Sequence, residues 1–223
     1  MQIFKPGIRG IYTQTPSPEP WSPPGVSLMA ARRMWTTTKG EGVVVAVIDT
    51  GVDYKHRDLA SNIIGGRSFV AAEPDYMDQN GHGTHVAGTI AAQGKILGVA
   101  PDTKILAVKV LNQNGQGSYS DIVQGIAWAR QWKGKKGERV NVINMSLGGP
   151  LPNNAMHREL VKVAQEGITV VCAAGNSGDG KDDTEEISYP AYYPECLAVG
   201  AVELNTRAAN FSNSNDRIDI VVK

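Results

Sequence analysis

Three short segments hold side chains with the makings of chemistry: Asp49-Thr50-Gly51, Asn80-Gly81-His82-Gly83-Thr84-His85 and Ala173-Ala174-Gly175-Asn176. A carboxylate at the end of an apolar run can cap a helix, bind a ribose, hold a metal or orient a histidine. Phosphoryl transfer through an aspartate would usually want a second Asp two residues on, and position 51 is Gly. Dinucleotide binding would want a glycine-rich turn, and DTGVDYKHRDL contains no GxGxxG. The glycines beside His82 allow a tight backbone turn and leave room next to the imidazole. His82 and His85 lack the intervening Glu and the four-residue spacing of H-E-x-x-H, which disfavours zinc. His85 alone reads as a core histidine satisfied by hydrogen bonds. Asn176 closes a buried apolar run and is either a turn residue or a donor to an oxyanion. Ser146-Leu147-Gly148-Gly149-Pro150 is a second stretch poor in side chains, which suggests backbone open to a ligand.

These segments need a frame. VVVAVI (43–48), KILAVKVL (104–111), RVNVINMS (139–146), ITVVCAAG (168–175), CLAVGAV (196–202) and IDIVV (218–222) are apolar, β-branched runs, as expected of strands buried on both faces. Helices are expected from His82 to Ala92, from Ser120 to Trp132 with Ser120 as N-cap, and from Asn153 to Gln165. Strands alternating with helices predict an α/β fold with a doubly wound, mostly parallel sheet and helices on both faces. Sites in such sheets lie at the carboxyl ends of the strands, where Asp49, Ser146 and Asn176 stand.

Composition narrows the classes. The 223 residues carry 22 Lys+Arg and 22 Asp+Glu, a formal charge of zero, which argues against a nucleic-acid surface. The 41% apolar fraction supports a real core at this length. No apolar run reaches the ~18 residues of a membrane span, and MQIFKPGIRGIYTQTPSPEP has no apolar stretch suited to a secretory signal. A cytoplasmic enzyme fits, with Cys172 and Cys196 as two buried reduced thiols. Six of the twelve prolines fall within residues 1–24, which read as an extended arm or linker ahead of one domain over 25–223.

In this order, AVIDTGVD, NGHGTHVAGTI, LGVAP, NMSLGGP and VVCAAGNSGDG resemble the subtilisin-like serine proteases, from about Gly25 to the last residue. The resemblance implies Asp49 as the triad aspartate, His82 as the general base and Asn176 as a side-chain donor to the tetrahedral oxyanion. Losing such a donor in a protease of this kind typically costs about 3–4 kcal/mol of transition-state stabilisation. It also implies that Ser146-Leu147-Gly148 and Gly115-Gln116-Gly117 are edges that pair with the backbone of a polypeptide substrate. Ala173, Ala174 and Gly175 would wall the P1 pocket with Ser188 near its base, which suggests an apolar or aromatic P1 residue. Tyr189-Pro190 matches a position where the family has a cis proline.

Calcium is the cofactor the resemblance brings. Asp58 matches a calcium ligand, but the loop expected to complete that site is only Gln93-Gly94-Lys95-Ile96, short and carrying a lysine. The carbonyls of Ala191, Tyr193 and Cys196 match a second, weaker cation site. The acidic stretch Asp179, Asp182, Asp183, Glu185, Glu186 has no EF-hand pattern and reads as a solvated loop. The missing signal peptide, the short arm and VVCAAGNSGDGKDDTEE are similar to the intracellular subtilisins of bacilli, in which a proline-containing extension crosses the active site. Phe4-Lys5-Pro6-Gly7-Ile8 is the candidate for that part.

The sequence departs from the family in one respect. The nucleophile belongs in a Gly-Thr-Ser-x-Ala segment opening a buried helix, and no GTS occurs in these residues. The expectation is a serine endopeptidase whose Ser lies beyond Lys223, with this chain alone inactive and an apolar sheet face exposed. The alternatives are a pseudoprotease that binds peptides or regulates a paralogue, and a nucleotide-binding α/β protein. Polypeptides are the expected partners, with no nucleic acid and no membrane, and a homodimer stays open.

Overall fold

The structure is a computed structural model that describes the backbone of residues 2–3 and residues 19–181, 183–203 and 205–222. Phe4 to Ile8 and Asp182 lie outside the described residues. The elements run β1 (Gln2–Ile3), α1 (Pro24–Leu28), a 3₁₀ turn (Ala31–Thr36), β2 (Val44–Asp49), β3 (Ile63–Ser68), α2 (His82–Ala91), β4 (Lys104–Lys109), α3 (Tyr119–Gln131), β5 (Val142–Met145), β6 (Leu147–Gly148), α4 (Asn154–Gln165), β7 (Thr169–Ala173), β8 (Cys196–Ala201) and β9 (Ile220–Val222).

A seven-stranded sheet has the order β3-β4-β2-β5-β7-β8-β9, and every pairing in it is parallel. The order turns about β2, which lies between β4 and β5, so the carboxyl end of β2 marks the switch point. Residues alternate between the two faces of each strand. Ala46, Ile48, Leu106, Val108, Ile143 and Met145 join Ile122 and Ile126 of α3 and Met156 and Leu160 of α4 in one core. Val45, Val47, Ile105 and Ala107 face the other way and pack with Ala87 and Ala91 of α2. The guanidinium of Arg130 on α3 pairs with Glu159 on α4 at 2.8 Å, tying the two helices of the first face.

Two expectations need correcting. The N-cap of α3 is Ser118, whose hydroxyl accepts from the Asp121 amide at 3.0 Å, and not Ser120. The edge strand β3 was missed because IIGGRS does not read as a strand. Gly66 is required there, since a Cβ would meet the Ala107 carbonyl at 2.6 Å and the Tyr76 ring at 2.7 Å. Cys172 and Cys196 are buried free thiols, and burial pushes the Cys172 thiol well above its ordinary range.

Candidate active site

Asp49 is the last residue of β2 and is fully buried. His82 is the first residue of α2, entered through Gly81 in a left-handed conformation (φ +96°). Nδ1 of His82 lies 2.7 Å from Oδ1 of Asp49. The same oxygen accepts from the Thr50 amide at 2.7 Å, while Oδ2 is buried and has no hydrogen-bond partner among the described residues. Burial pushes the Asp49 carboxyl above its ordinary value, opposed by the hydrogen bond to His82 and the Thr50 amide. An ionised carboxylate only accepts, so it fixes the proton on Nδ1 and leaves Nε2 as the basic nitrogen.

Asp78 joins β2 to α2. Its Oδ1 accepts from the Thr50 hydroxyl at 2.9 Å and from the amides of Asn80 and Gly81 at 2.9 and 3.0 Å. Its Oδ2 accepts from the Thr84 amide at 2.9 Å and hydroxyl at 2.6 Å. A carboxylate thus satisfies amides of the helix N-terminus, which the N-cap Gly81 cannot do. Burial alone would raise the Asp78 carboxyl, but these hydrogen bonds outweigh it and hold the group below its ordinary value. The Gly83 amide in turn donates to the Thr50 hydroxyl at 2.9 Å. A Cβ at position 83 would sit 2.1 Å from the Gly51 carbonyl, so only glycine lets the helix approach Asp49 this closely.

Ser146, Ala173, Ala174, Gly175 and Asn176 line a groove of about 330 Å³. Its other wall is the face of α2 carrying His85, Val86, Thr89 and Ile90. His85, read from sequence as a core histidine, is therefore a groove residue; the sheet beneath that face of α2 is only partly covered. Leu147 and Gly148 continue from Ser146 as β6. Gly149 and Tyr189 exchange backbone hydrogen bonds of 3.0 and 2.8 Å, which carries buried Ser188 beside that edge. The Tyr189–Pro190 peptide is cis. Gly115-Gln116-Gly117 lies in the loop after β4, held to the start of α2 by the Asn80 side chain, which donates to the Gln113 carbonyl at 2.8 Å.

A family model described as the subtilase family matches residues 40–223. The chain belongs to the subtilase family. An intracellular serine protease of Paenibacillus polymyxa is 46% identical over 206 residues, covering 89% of this chain and 61% of that protein. The major intracellular serine protease of Bacillus subtilis (strain 168) is 46% identical over 208 residues, covering 89% and 63%. Subtilisin DY of Bacillus licheniformis is 45% identical over 204 residues, covering 89% and 71%. The chain thus spans less than two thirds of the length of the two intracellular relatives.

Three supporting residues of this subtilase carry no motif in the sequence. Lys109, the last residue of β4, has no exposure. Its ammonium donates to the carbonyls of Thr50 (2.6 Å) and Leu111 (3.0 Å) and pairs with Glu73 at 2.9 Å. Glu73 also accepts from the Gln113 amide at 3.0 Å, so one buried ion pair fixes the Asp49 segment against the Gly115–Gly117 loop. Asn213 is buried and accepts from the Ser177 amide at 2.7 Å, bracing the turn that presents Asn176.

The two cation sites that the resemblance implied lie in different parts of the domain. Asp58 packs against the Gln93–Ile96 loop, whereas Ala191, Tyr193 and Cys196 belong to the core of the α3/α4 face. The Tyr193 carbonyl already accepts from the Cys196 amide at 3.0 Å. In the acidic loop, Asp179 accepts from the Lys181 amide and the Thr184 hydroxyl, and Glu186 from the Ser214 amide.

Proposed function

We propose that this subtilase supplies the acid–base and oxyanion-binding parts of a serine endopeptidase, with the nucleophilic hydroxyl carried by a segment outside these 223 residues. The observation that carries the reading is the 2.7 Å contact between buried Asp49 and His82, the first residue of the helix whose His85, Val86, Thr89 and Ile90 wall the groove that Asn176 lines. In this mechanism Nε2 of His82 takes the proton of the serine hydroxyl as its oxygen attacks the peptide carbonyl. Asp49 keeps the ring in one tautomer and stabilises the imidazolium. The Asn176 amide donates to the oxyanion, and His82 returns the proton to the leaving amine. Val171, Ala173, Val199 and Ala201 on the open strands, with Val86 and Ile90 of α2, form an apolar seat for the missing segment.

Substrate binds by strand addition to Ser146–Gly148 and Gly115–Gly117, with an apolar P1 side chain between Ala173–Gly175 and Ser188. The antiparallel pairing of β1 with β6, Gln2 against Gly148 and Ile3 against Leu147, supports this, because the chain's own arm already uses that edge. Residues 1–24 are accordingly an inhibitory extension and 25–223 the peptidase domain. Removing residues 1–20 from a catalytically complete protein raises its rate of peptide hydrolysis, and an unchanged rate would count against the extension. A cytoplasmic location is proposed from the names of the two intracellular relatives. Among the described residues no helix is long and apolar enough to cross a membrane.

The test is to sequence the coding DNA past codon 223 and to weigh the native protein. The expected result is a downstream frame encoding GTS-x-A and a mass well above 23.8 kDa. A stop codon, a mass near 23.8 kDa and peptide binding without turnover would replace the endopeptidase with a pseudoprotease.

A further inference from the structure

Asp58 is buried at 3% exposure, at the start of the turn that leads into β3, and a lone buried carboxylate must find partners. Its partners are amides. Oδ1 accepts from the Lys95 N–H at 3.1 Å and Oδ2 from the Ile96 N–H at 3.2 Å. The Asp58 carbonyl accepts from the Gln93 N–H at 2.7 Å, so the loop is held from both ends. The guanidinium of Arg57 stands 3.8 Å from Oδ1. A Cβ at Gly94 would lie 2.1 Å from Oδ1, so the carboxylate fills the concave side of the loop.

A calcium site needs the reverse. It gathers six to eight oxygens at about 2.3–2.6 Å around one point. Here two of the loop's oxygens already have donors: the Ile96 carbonyl accepts from Gly94 N–H at 3.2 Å, and the Lys95 carbonyl accepts from Trp21 N–H at 3.0 Å. Leu97 N–H donates back to the Trp21 carbonyl at 3.0 Å, so residue 21 is stitched to the loop as a parallel bridge opposite Ile96. The donor set does not fit calcium.

We propose that Asp58 and the Gln93–Leu97 loop form a metal-free clasp. In it the carboxylate organises the loop through its N–H groups, and the loop in turn fastens the strap at Trp21 to the end of α2. The four-residue loop that weakens the calcium expectation is what lets its amides reach the carboxylate directly. The clasp and its strap are therefore indifferent to calcium.

Amide hydrogen exchange on the 223-residue chain tests this, in millimolar calcium chloride and in EDTA. The expected result is slow exchange at Lys95, Ile96 and Leu97 to the same degree in both, with the same unfolding temperature. In Asp58→Asn, which keeps the volume and removes the charge, exchange at Lys95 and Ile96 rises several-fold in both conditions. Calcium-induced slowing at Lys95 and Ile96, or a calcium-dependent rise in unfolding temperature that Asp58→Asn abolishes, would overturn the proposal. A calcium response that Asp58→Asn retains arises elsewhere and leaves the clasp standing.

Discussion

The face of the sheet that carries α3 and α4 is sealed: Ile48, Leu106, Val108, Ile143, Met145, Ile122 and Ile126 have no exposure. The opposite face is covered by α2 over β2 and β4, and then stops being covered. On β5, β7 and β8 the residues pointing that way, Asn144, Val171, Ala173, Val199 and Ala201, are half-buried and line the groove. The chemistry-bearing residues stand along this border. Asp49 and His82 belong to the covered part, fixed by Asp78, Thr50 and Lys109, while Ser146 and Asn176 open onto the uncovered part. The difference separates two tasks: one face carries the stability of the domain, and the other holds Asp49 and His82 rigid beside strands left open, which is where the proposed function seats the nucleophile's segment.

The strongest way to break this comparison is to place a charge on each face. Met145→Lys buries an unpartnered ammonium in the sealed core and should cost more than about 4 kcal/mol, enough to remove a cooperative urea transition. Val171→Lys, on the open face, should cost about 1 kcal/mol or less, because the side chain can reach water. Equal losses would erase the distinction between the faces. Next in size is the joint between β2 and α2. Gly83→Ala should cost about 1–3 kcal/mol through its clash with the Gly51 carbonyl. It should also remove the far-downfield Nδ1–H proton resonance of His82, by moving the ring off Asp49.

The smaller effects separate two carboxylates by the sign of their pH dependence. Asp78 is held below its ordinary value, so its contribution is full above its unfolded pKa of about 3.9 and is lost as pH falls through the lower folded value. Asp78→Asn should cost about 1–3 kcal/mol at neutral pH, with the gap to the parent closing in acid denaturation. Asp49 is raised, so its contribution is full below its unfolded pKa and is lost as pH rises through the folded value. Asp49→Asn should therefore unfold at no lower a temperature than the parent at neutral pH, as expected where function is held at a cost to stability. A large destabilisation by Asp49→Asn would show that the carboxylate is there for the fold.

Much of the frame was legible because buried parallel strands are written as unbroken apolar runs, and β2, β4, β5, β7, β8 and β9 all fall on such runs, although β9 at the sheet edge is exposed at Ile220 and Val221 and not buried on both faces as expected. Asp49, His82 and Asn176 stood out because each follows a run or opens a helix with glycine beside it. What supports them was not legible. Thr50 and Asp78 are 28 residues apart, and Lys109 reaches Thr50 across 59, so no local pattern marks them. Lys109 and Asn213 are polar residues whose burial follows from packing alone. β3 was hidden because Tyr76 and the Ala107 carbonyl demand glycine inside a strand. His85 was misplaced because HGTH has the look of a helix face turned to a core, and here that face meets the open groove.

In the proposed function His82 is the general base of a serine endopeptidase and Asp49 orients it. The most direct test joins the C-terminal part of the Bacillus subtilis relative to residue 223 and measures cleavage of a chromogenic peptide anilide. Hydrolysis should fall by about 10²–10⁴-fold in His82→Ala, the range expected for loss of a general base. Hydrolysis as fast in His82→Ala as in the parent would contradict that role.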